Sequence, residues 1–473
     1  MSHPLLNPSQ FRSRAEAALN NTQQRLALQR ATSLALSKRE AIKRTYPEWP
    51  KLREQAREIK RASLANLPEL LCQFEREVAS NGGQVHWAEH AADAREIVAR
   101  IAAEHRISLI VKAKSMASEE IELRPDLISR GIEVVETDLG EYIIQLAGEI
   151  PSHLTAPCLH KTRQEIGRLF SQKLGIPYSE DPVELSLTAR RVLREKFINA
   201  GMGISGANFA IASRGAICLV ENEGNIRLCT SGPDVLVSIV GIEKVIPSLD
   251  DMATFLKLLA PSATGQRASA YVSLIGGVRR LREADGPREW HVILLDNGRW
   301  RLYAHDHLRE ALMCIKCGAC LNVCPIYQKI GGHAYGSVYP GPIGAVLTPL
   351  LSGLEQSRCL PFASTLCGAC AEICPVGINI HHLLLHLRSM IVAAGGAPIL
   401  ERVAMAAFSS FQLANLYAVS TRCVRLGQQL VSRRIRDRFL RSWTADREWP
   451  GFAEKSFNQM WPMLEGQKKD YFP

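Results

Sequence analysis

Along the first 65 residues apolar positions recur three and four apart among Arg, Gln and Ala, and "YPEWP" (46–50) breaks the run, which predicts helices with one interruption. From about 66 to 300 the pattern switches between helical spacing and short apolar runs. "AADAREIVARIAAEH" (91–105) has helical spacing, "ISLIVK" (107–112) and "IEVVE" (132–136) read as strands, and "PVELSLTARRVLREKFINA" (182–200) reads as a long amphipathic helix. "FAIA", "AICLVE", "VLVSIVG", "AYVSLIG" and "HVILLD" follow as further strands. Such alternation predicts an α/β domain built on a largely parallel sheet. The exception is "NFAIASRGAICLVE" (208–221), two strands joined by Ser-Arg-Gly, which reads as a hairpin. After "DNGRWRLYAHD" the pattern changes. The Gly/Pro-rich "KIGGHAYGSVYPGPIGAVLTPLLSG" (329–353) reads as an ordered loop or short helical turns, and 376–473 looks helical with a polar, aromatic-bearing tail.

These shifts divide the chain into a basic helical arm (1–65), an α/β region (66–300), a cysteine-bearing region (301–395) and a helical C-terminal region (396–473). The length of 473 residues is ample for a large core, and 46% hydrophobic with 22% charged residues is ordinary for globular protein. Charge changes the picture more. The net value is +10, and residues 1–65 alone hold 13 Lys/Arg against 5 Asp/Glu. A second basic cluster, "RRIRDRFLRS", spans 433–442. Basic arms suit nucleic acid, anionic lipid or an acidic partner, but interleaved acids and helical spacing favour solvated helix faces. The N-terminus lacks an apolar secretion segment, and "VAMAAFSSFQLANLYAVS" (403–420) is too short and polar for a span. The expectation is a cytoplasmic protein, at most peripheral to a membrane. No nucleic-acid-binding module, P-loop, Ser-His-Asp order or H-E-x-x-H helix is visible.

Thirteen cysteines in such a chain point to metal, because seven of them fall into two tight runs. "CIKCGACLNVCP" (314–325) is a complete C-x2-C-x2-C-x3-C-P run, in which three thiolates wrap one cubane and the fourth serves its neighbour. Fifty residues on, "STLCGACAEICP" (364–375) repeats the spacing with one cysteine fewer. Crosswise sharing assigns Cys314, Cys317, Cys320 and Cys374 to a first four-iron cluster, and Cys324, Cys367 and Cys370 to a second. The spacing puts the eighth ligand at 364, which is Ser364. Cys359 reaching in, Ser364 or solvent capping the fourth iron, or a three-iron cluster are the alternatives. A zinc site would favour paired C-x2-C units rather than two runs ending in Cys-Pro. The pair suits an electron wire. Cys72, Cys158, Cys218, Cys229 and Cys423 lie outside the runs as small core residues, with Cys218 and Cys229 expected in buried strands.

Other signals are weaker. "GMGISG" (201–206) matches G-x-G-x-x-G but follows a helix and precedes a strand, the wrong setting for a dinucleotide. His381, His382 and His386 read as helix-face residues, and His305 and His307 invite the same caution. Lys112, Lys114 and Ser115 end a strand before Glu119 and Glu120, where α/β sheets bind anions. Acidic "ETDLGEY" (136–142), then His153, His160 and Lys161, and the polar turn "ENEGN" (221–225) complete a candidate pocket, although capping and turn formation explain each alone.

The chain resembles the lactate utilization protein B family of iron–sulfur proteins. The resemblance is carried by "KAKSM", "ETDLGEYIIQL", "PSHLTAPCLHK", "GISGANFAIASRGAICLVENEGNIRLC", "DNGR", the cysteine runs and "GGHAYGSVYPGPIGAVLTPLL", over about residues 80–380. It implies a lactate-utilization domain related to formyltetrahydrofolate cyclo-ligase and CoA-transferase-like α/β folds, an α-helical ferredoxin insert with two four-iron clusters, and a helical C-terminal region. It also implies electron carriage in L-lactate oxidation to pyruvate alongside two partner proteins. The seven cysteines match the family pattern, and some members carry Cys at the position of Ser364. The alternative places lactate chemistry in the α/β domain, in a pocket uniting Lys112, Glu141, His160 or the 221–225 turn near the first cluster.

Overall fold

The computed structural model describes residues 6–396 and 399–410, with isolated positions between 417 and 462. Ten strands occur among the described residues: Gln84–Ala88 (β1), Leu109–Lys112 (β2), Glu133–Glu136 (β3), Met202–Ser205 (β4), Phe209–Ile211 (β5), Ala216–Glu221 (β6), Val235–Gly241 (β7), Val245–Ile246 (β8), Tyr271–Ile275 (β9) and Glu289–Leu295 (β10). Six of them form a wholly parallel sheet in the order β1-β10-β7-β4-β2-β3. Helices cover both faces, so β7 is buried at every residue, as its unbroken apolar text requires. The α/β fold class read from the sequence is the one observed. A second sheet, β8-β5-β6-β9, contains the expected hairpin of β5 and β6. Its turn ends at Gly215 with φ +53, where an added Cβ would lie 2.3 Å from a Glu77 backbone carbon. Only glycine fits.

Two readings of local pattern are corrected. "GMGISG", read as preceding a strand, itself contains one: Met202–Ser205 is the inner strand β4, pairing Val111 with Gly203 and Leu236 with Gly203. Its glycine admits a neighbour's backbone: a Cβ on Gly203 would sit 1.9 Å from the Cys229 carbonyl oxygen. Glycine weakens a strand signal in sequence, and close approach of another backbone explains it here. The 329–353 stretch contains a full helix, Gly341–Ser352, with Pro342 in its first turn and Gly344 packed on the Tyr339 carbonyl. Proline in a first turn gives up no helical hydrogen bond. β1 is a strand that the sequence reading left out.

The basic N-terminal segment is folded against the rest. Helices Phe11–Asn20, Thr22–Lys43 and Trp49–Ala65 appear as expected, and Trp49, Leu52, Ala56, Lys60 and Leu64 make one buried stripe. Two of its cations act as staples. Arg39, only 5% exposed, donates to the Ile373 carbonyl at 3.0 Å. Arg53 donates to the carbonyls of Cys374 at 2.7 Å and Ala371 at 2.9 Å. Residues up to Ala394 form one unit, which ends with the helix Ile380–Ala393. In the second unit the helix Ile399–Ser410 is described; "RRIRDRFLRS" and, of 403–420, residues 411–416, 418 and 420 lie outside the described residues. No described helix is long and apolar enough to cross a membrane.

Candidate metal centre and the cavity beside it

The two cysteine runs share a backbone. Lys316 and Leu366, each preceding a cysteine, take φ of +59 and +56, and Gly318 and Gly368 follow it at +76 and +81. Helices of one turn, Ala319–Val323 and Ala369–Ile373, come next. A left-handed non-glycine residue costs about 1–2 kcal/mol, so both bends need support from their surroundings. The bends bring sulfurs together across the runs. Cys317 and Cys320 are each electrostatic neighbours of Cys314 and Cys374. Cys370 is a neighbour of Cys324 and Cys367.

The residues suit an iron–sulfur group better than zinc. Tetrahedral zinc, with bonds of about 2.3 Å, needs sulfurs roughly 4 Å apart. Among the described residues no cysteine belongs to a ligand group whose atoms lie within 4.8 Å of one another; His105, Glu289 and His291 do. Burial pushes the Cys317 and Cys370 thiols up to about 12 and Cys374 up to about 11, so a thiolate there needs a bound cation. Backbone N–H groups are aimed at the sulfurs, from Lys316 to Cys314 and from Ile378 to Cys374, both at 3.4 Å. Such bonds stabilise sulfur-borne charge.

Neither candidate eighth ligand is aligned with the second set by a hydrogen bond. The Cys359 thiol donates to the Pro8 carbonyl at 3.0 Å. Ser364 Oγ accepts from the Leu366 N–H at 3.1 Å. Of the cysteines outside the runs, Cys218 and Cys229 are buried as expected, but Cys229 is on the helix Asn225–Ser231, and Cys72 is exposed.

The polar residues flagged in the sequence are scattered. Lys112 bonds Glu119 at 2.8 Å and Glu136 at 2.9 Å. Burial works against its charge, but Glu119, Glu136 and Glu141 outweigh that and hold it above the usual lysine range. Glu141 is paired with Lys114. His160 is bound to Glu149 at 2.8 Å and Ser152 at 2.9 Å, and Lys161 to Glu149 at 2.6 Å. His153 is buried, with Nδ1 accepting from the N–H groups of Thr155 and Ala156. Burial, with Lys114 nearby, lowers its pKa to about 4. His305, His307 and His386 bring their rings within 5.0–6.1 Å of one another, whereas the His381 ring lies tilted beside that of His382 at 4.4 Å.

A cavity of about 290 Å³ opens where β2, β4 and β7 end, against the first cysteine run. The 221–225 turn and Lys114 line it; Lys112, Glu141 and His160 do not. In their place stand residues the sequence reading passed over, Glu243, Lys244, Arg299, Lys316 and Tyr339. Lys316 lies between two cysteines and Tyr339 between the two runs, so only their proximity to the motif marked them. Arg299, 2% exposed, ties this wall together: Nε donates to Glu243 at 2.6 Å and Nη2 to Glu120 at 2.8 Å. Tyr339 donates to the same Glu120 at 2.6 Å. The segment between the cysteine runs is thereby locked to the end of the parallel sheet.

The LUD domain family matches residues 71–295, and the 4Fe-4S dicluster domain family matches residues 310–378. Lactate utilization protein B of Anoxybacillus flavithermus is 40% identical over 465 residues, 96% of this chain and 97% of its own length. That of Geobacillus thermodenitrificans is 44% identical over 400 residues, 84% of each chain. That of Bacillus cereus is 42% identical over 417 residues, 86% of this chain and 87% of its own. A solved structure, a DUF162 family protein from Deinococcus radiodurans, is 14% identical with a TM-score of 0.28, covering 48% of this chain and 98% of that one. The cysteine-bearing region is therefore an iron–sulfur domain following a LUD domain.

Proposed function

The chain belongs to the lactate utilization protein B family, and from that premise we propose that it is the iron–sulfur electron-transfer component of an L-lactate oxidation system. The observation that carries this reading is the crosswise grouping of sulfurs, three around Cys320 and two around Cys370. Two four-iron clusters held there, by Cys314, Cys317, Cys320 and Cys374 and by Cys324, Cys367 and Cys370, would supply a one-electron relay. Oxidation of L-lactate to pyruvate releases two electrons and two protons, so a pair of one-electron carriers suits the reaction. For the eighth position, left open between Cys359, Ser364 or solvent and a three-iron cluster, the Cys359 thiol bond to the Pro8 carbonyl supports Ser364 or solvent.

The chain's own residues support a relay. The N-terminal helices shield the first set through Arg39 and Arg53, while Cys367 stays exposed at the second. Two partner proteins of the same system donate and accept the electrons, in the cytoplasm or at the membrane surface. Iron and acid-labile sulfide of anaerobically purified protein, read with EPR before and after reduction, test this. About eight irons per chain and two interacting reduced clusters are expected. Zinc without iron, or full-rate lactate oxidation by the partners without this chain, sinks it.

The alternative, that the α/β region itself takes the substrate, is favoured by one observation: the cavity at the strand ends borders the first cysteine run. Lactate turnover by the isolated chain with an artificial acceptor tests that reading.

A further inference from the structure

We propose that this cavity binds a small monocarboxylate carrying an oxygen on the adjacent carbon, a 2-hydroxy or 2-oxo acid, with its carboxylate between Lys244 and Lys316. The choice of acid rests on the lactate reading above; the demand for an anion comes from the side chains.

Among the described residues neither ammonium has an ion-paired or hydrogen-bonded partner, Lys316 merely lying over the Tyr339 ring at 4.2 Å. They are close enough to oppose each other's charge. Glu243, the nearest carboxylate, is engaged with Arg299 at 2.6 Å. Partly enclosed like charges without a counter-ion are unfavourable, and a bound anion relieves them. The metal centre accounts for part of this charge, since Lys244 and Lys60 both act on Cys314. Lys60, Arg39 and Arg53 already ring the first cysteine set, and each of them is bonded to a backbone carbonyl. Lys244 and Lys316 instead line open space.

Asp138, Glu221 and Glu223 also line the cavity. The Glu223 pKa is raised by burial and then by Asp138 and Glu221, so this part of the lining is acidic. It accepts hydrogen bonds from a hydroxyl and repels a second carboxylate. The site therefore selects monocarboxylates over longer dicarboxylates. Its volume, about 290 Å³, is at the lower end for small-molecule pockets, and the ends of parallel strands are where α/β sheets bind ligands.

The test is calorimetric titration of the anaerobically purified, cluster-bearing full chain with L-lactate, pyruvate, succinate and inorganic phosphate. Saturable binding of the two monocarboxylates at one site per chain is expected, weakened tenfold or more in Lys244→Met and kept in Lys244→Arg. Iron content and circular dichroism of Lys244→Met report its folding. Should that variant fail to fold, wild-type Lys244 is acylated with an amine-reactive ester and followed by mass spectrometry; L-lactate is expected to protect it. Absence of monocarboxylate binding, equal binding of succinate, binding of phosphate alone, or neither weakening in Lys244→Met nor protection overturns the proposal. Chemical reduction of the clusters, monitored in the same samples, reports on the electron-transfer reading separately. Reducible clusters without acid binding remove the site and leave the carrier.

Discussion

Cys320 and Cys370 hold the same place in two runs of the same spacing, each in a one-turn helix behind a left-handed bend. Their surroundings differ. Around the first set, Lys60 and Lys244 act on Cys314, Arg39 on Cys317 and Arg53 on Cys374. Around the second, Cys367 is exposed, and the charged neighbours of Cys324 and Cys370 are other cysteines. Cations and N–H donors near sulfur favour the reduced state of an iron–sulfur centre, whereas exposure opens a route to another protein. One motif written twice thus becomes an interior site and a rim site. The difference is made by helices some 300 residues away in sequence, Arg39 being 334 residues from Ile373.

The sharpest way to break this comparison is to remove one ligand from each set. Cys320→Ala is expected to lose the iron of the first cluster, about four atoms, and to unfold the insert, since its side chain is buried at the centre. Cys367→Ala, at the exposed rim, is expected to lose no more than about four and remain folded. Iron assay with circular dichroism separates the two; equal unfolding would erase the distinction between interior and rim.

Next in size is the latch. Arg53→Ala removes two charged-donor hydrogen bonds to the second run's backbone and is expected to lower stability by about 2–3 kcal/mol in denaturant unfolding. The first cluster's midpoint potential should also fall, because a nearby cation is lost. A change confined to the second cluster would reverse the assignment.

Acid probes the seam between insert and sheet. His333 donates from Nε2 to the Ile150 carbonyl, and burial followed by His160 pulls its pKa down to about 4. The unfolded histidine titrates near 6.5, so between those values the unfolded chain binds more protons. Stability is therefore complete above about pH 6.5 and is lost toward pH 4, at about 1 kcal/mol per pH unit. Melting curves from pH 7 to 5 should slope accordingly and flatten in His333→Gln.

The smallest effect is expected at Cys359. Cys359→Ala gives up a thiol bond to Pro8 and should cost about 1 kcal/mol or less, with iron content unchanged. Loss of iron would make Cys359 the eighth ligand, and the second set would then match the first in number.

Features with a local cause are legible in the chain's text. Apolar runs between helical stretches gave the parallel sheet, because strands covered on both faces carry no alternation. The C-x2-C-x2-C-x3-C-P spacing anticipated which cysteines neighbour one another, Cys320 with Cys314, Cys317 and Cys374, and Cys370 with Cys324 and Cys367. Local text misled where a neighbour sets the requirement: Gly203 belongs to an inner strand because Cys229 backbone presses on it. Which polar residues meet depends on how the chain packs. Lys112, Glu141 and His160 look like a pocket in sequence but satisfy one another or nearer groups, since a buried charge takes the partner within reach. Lys244 and Lys316, 72 residues apart in number, meet only when the insert docks on the strand ends, and no spacing rule links them.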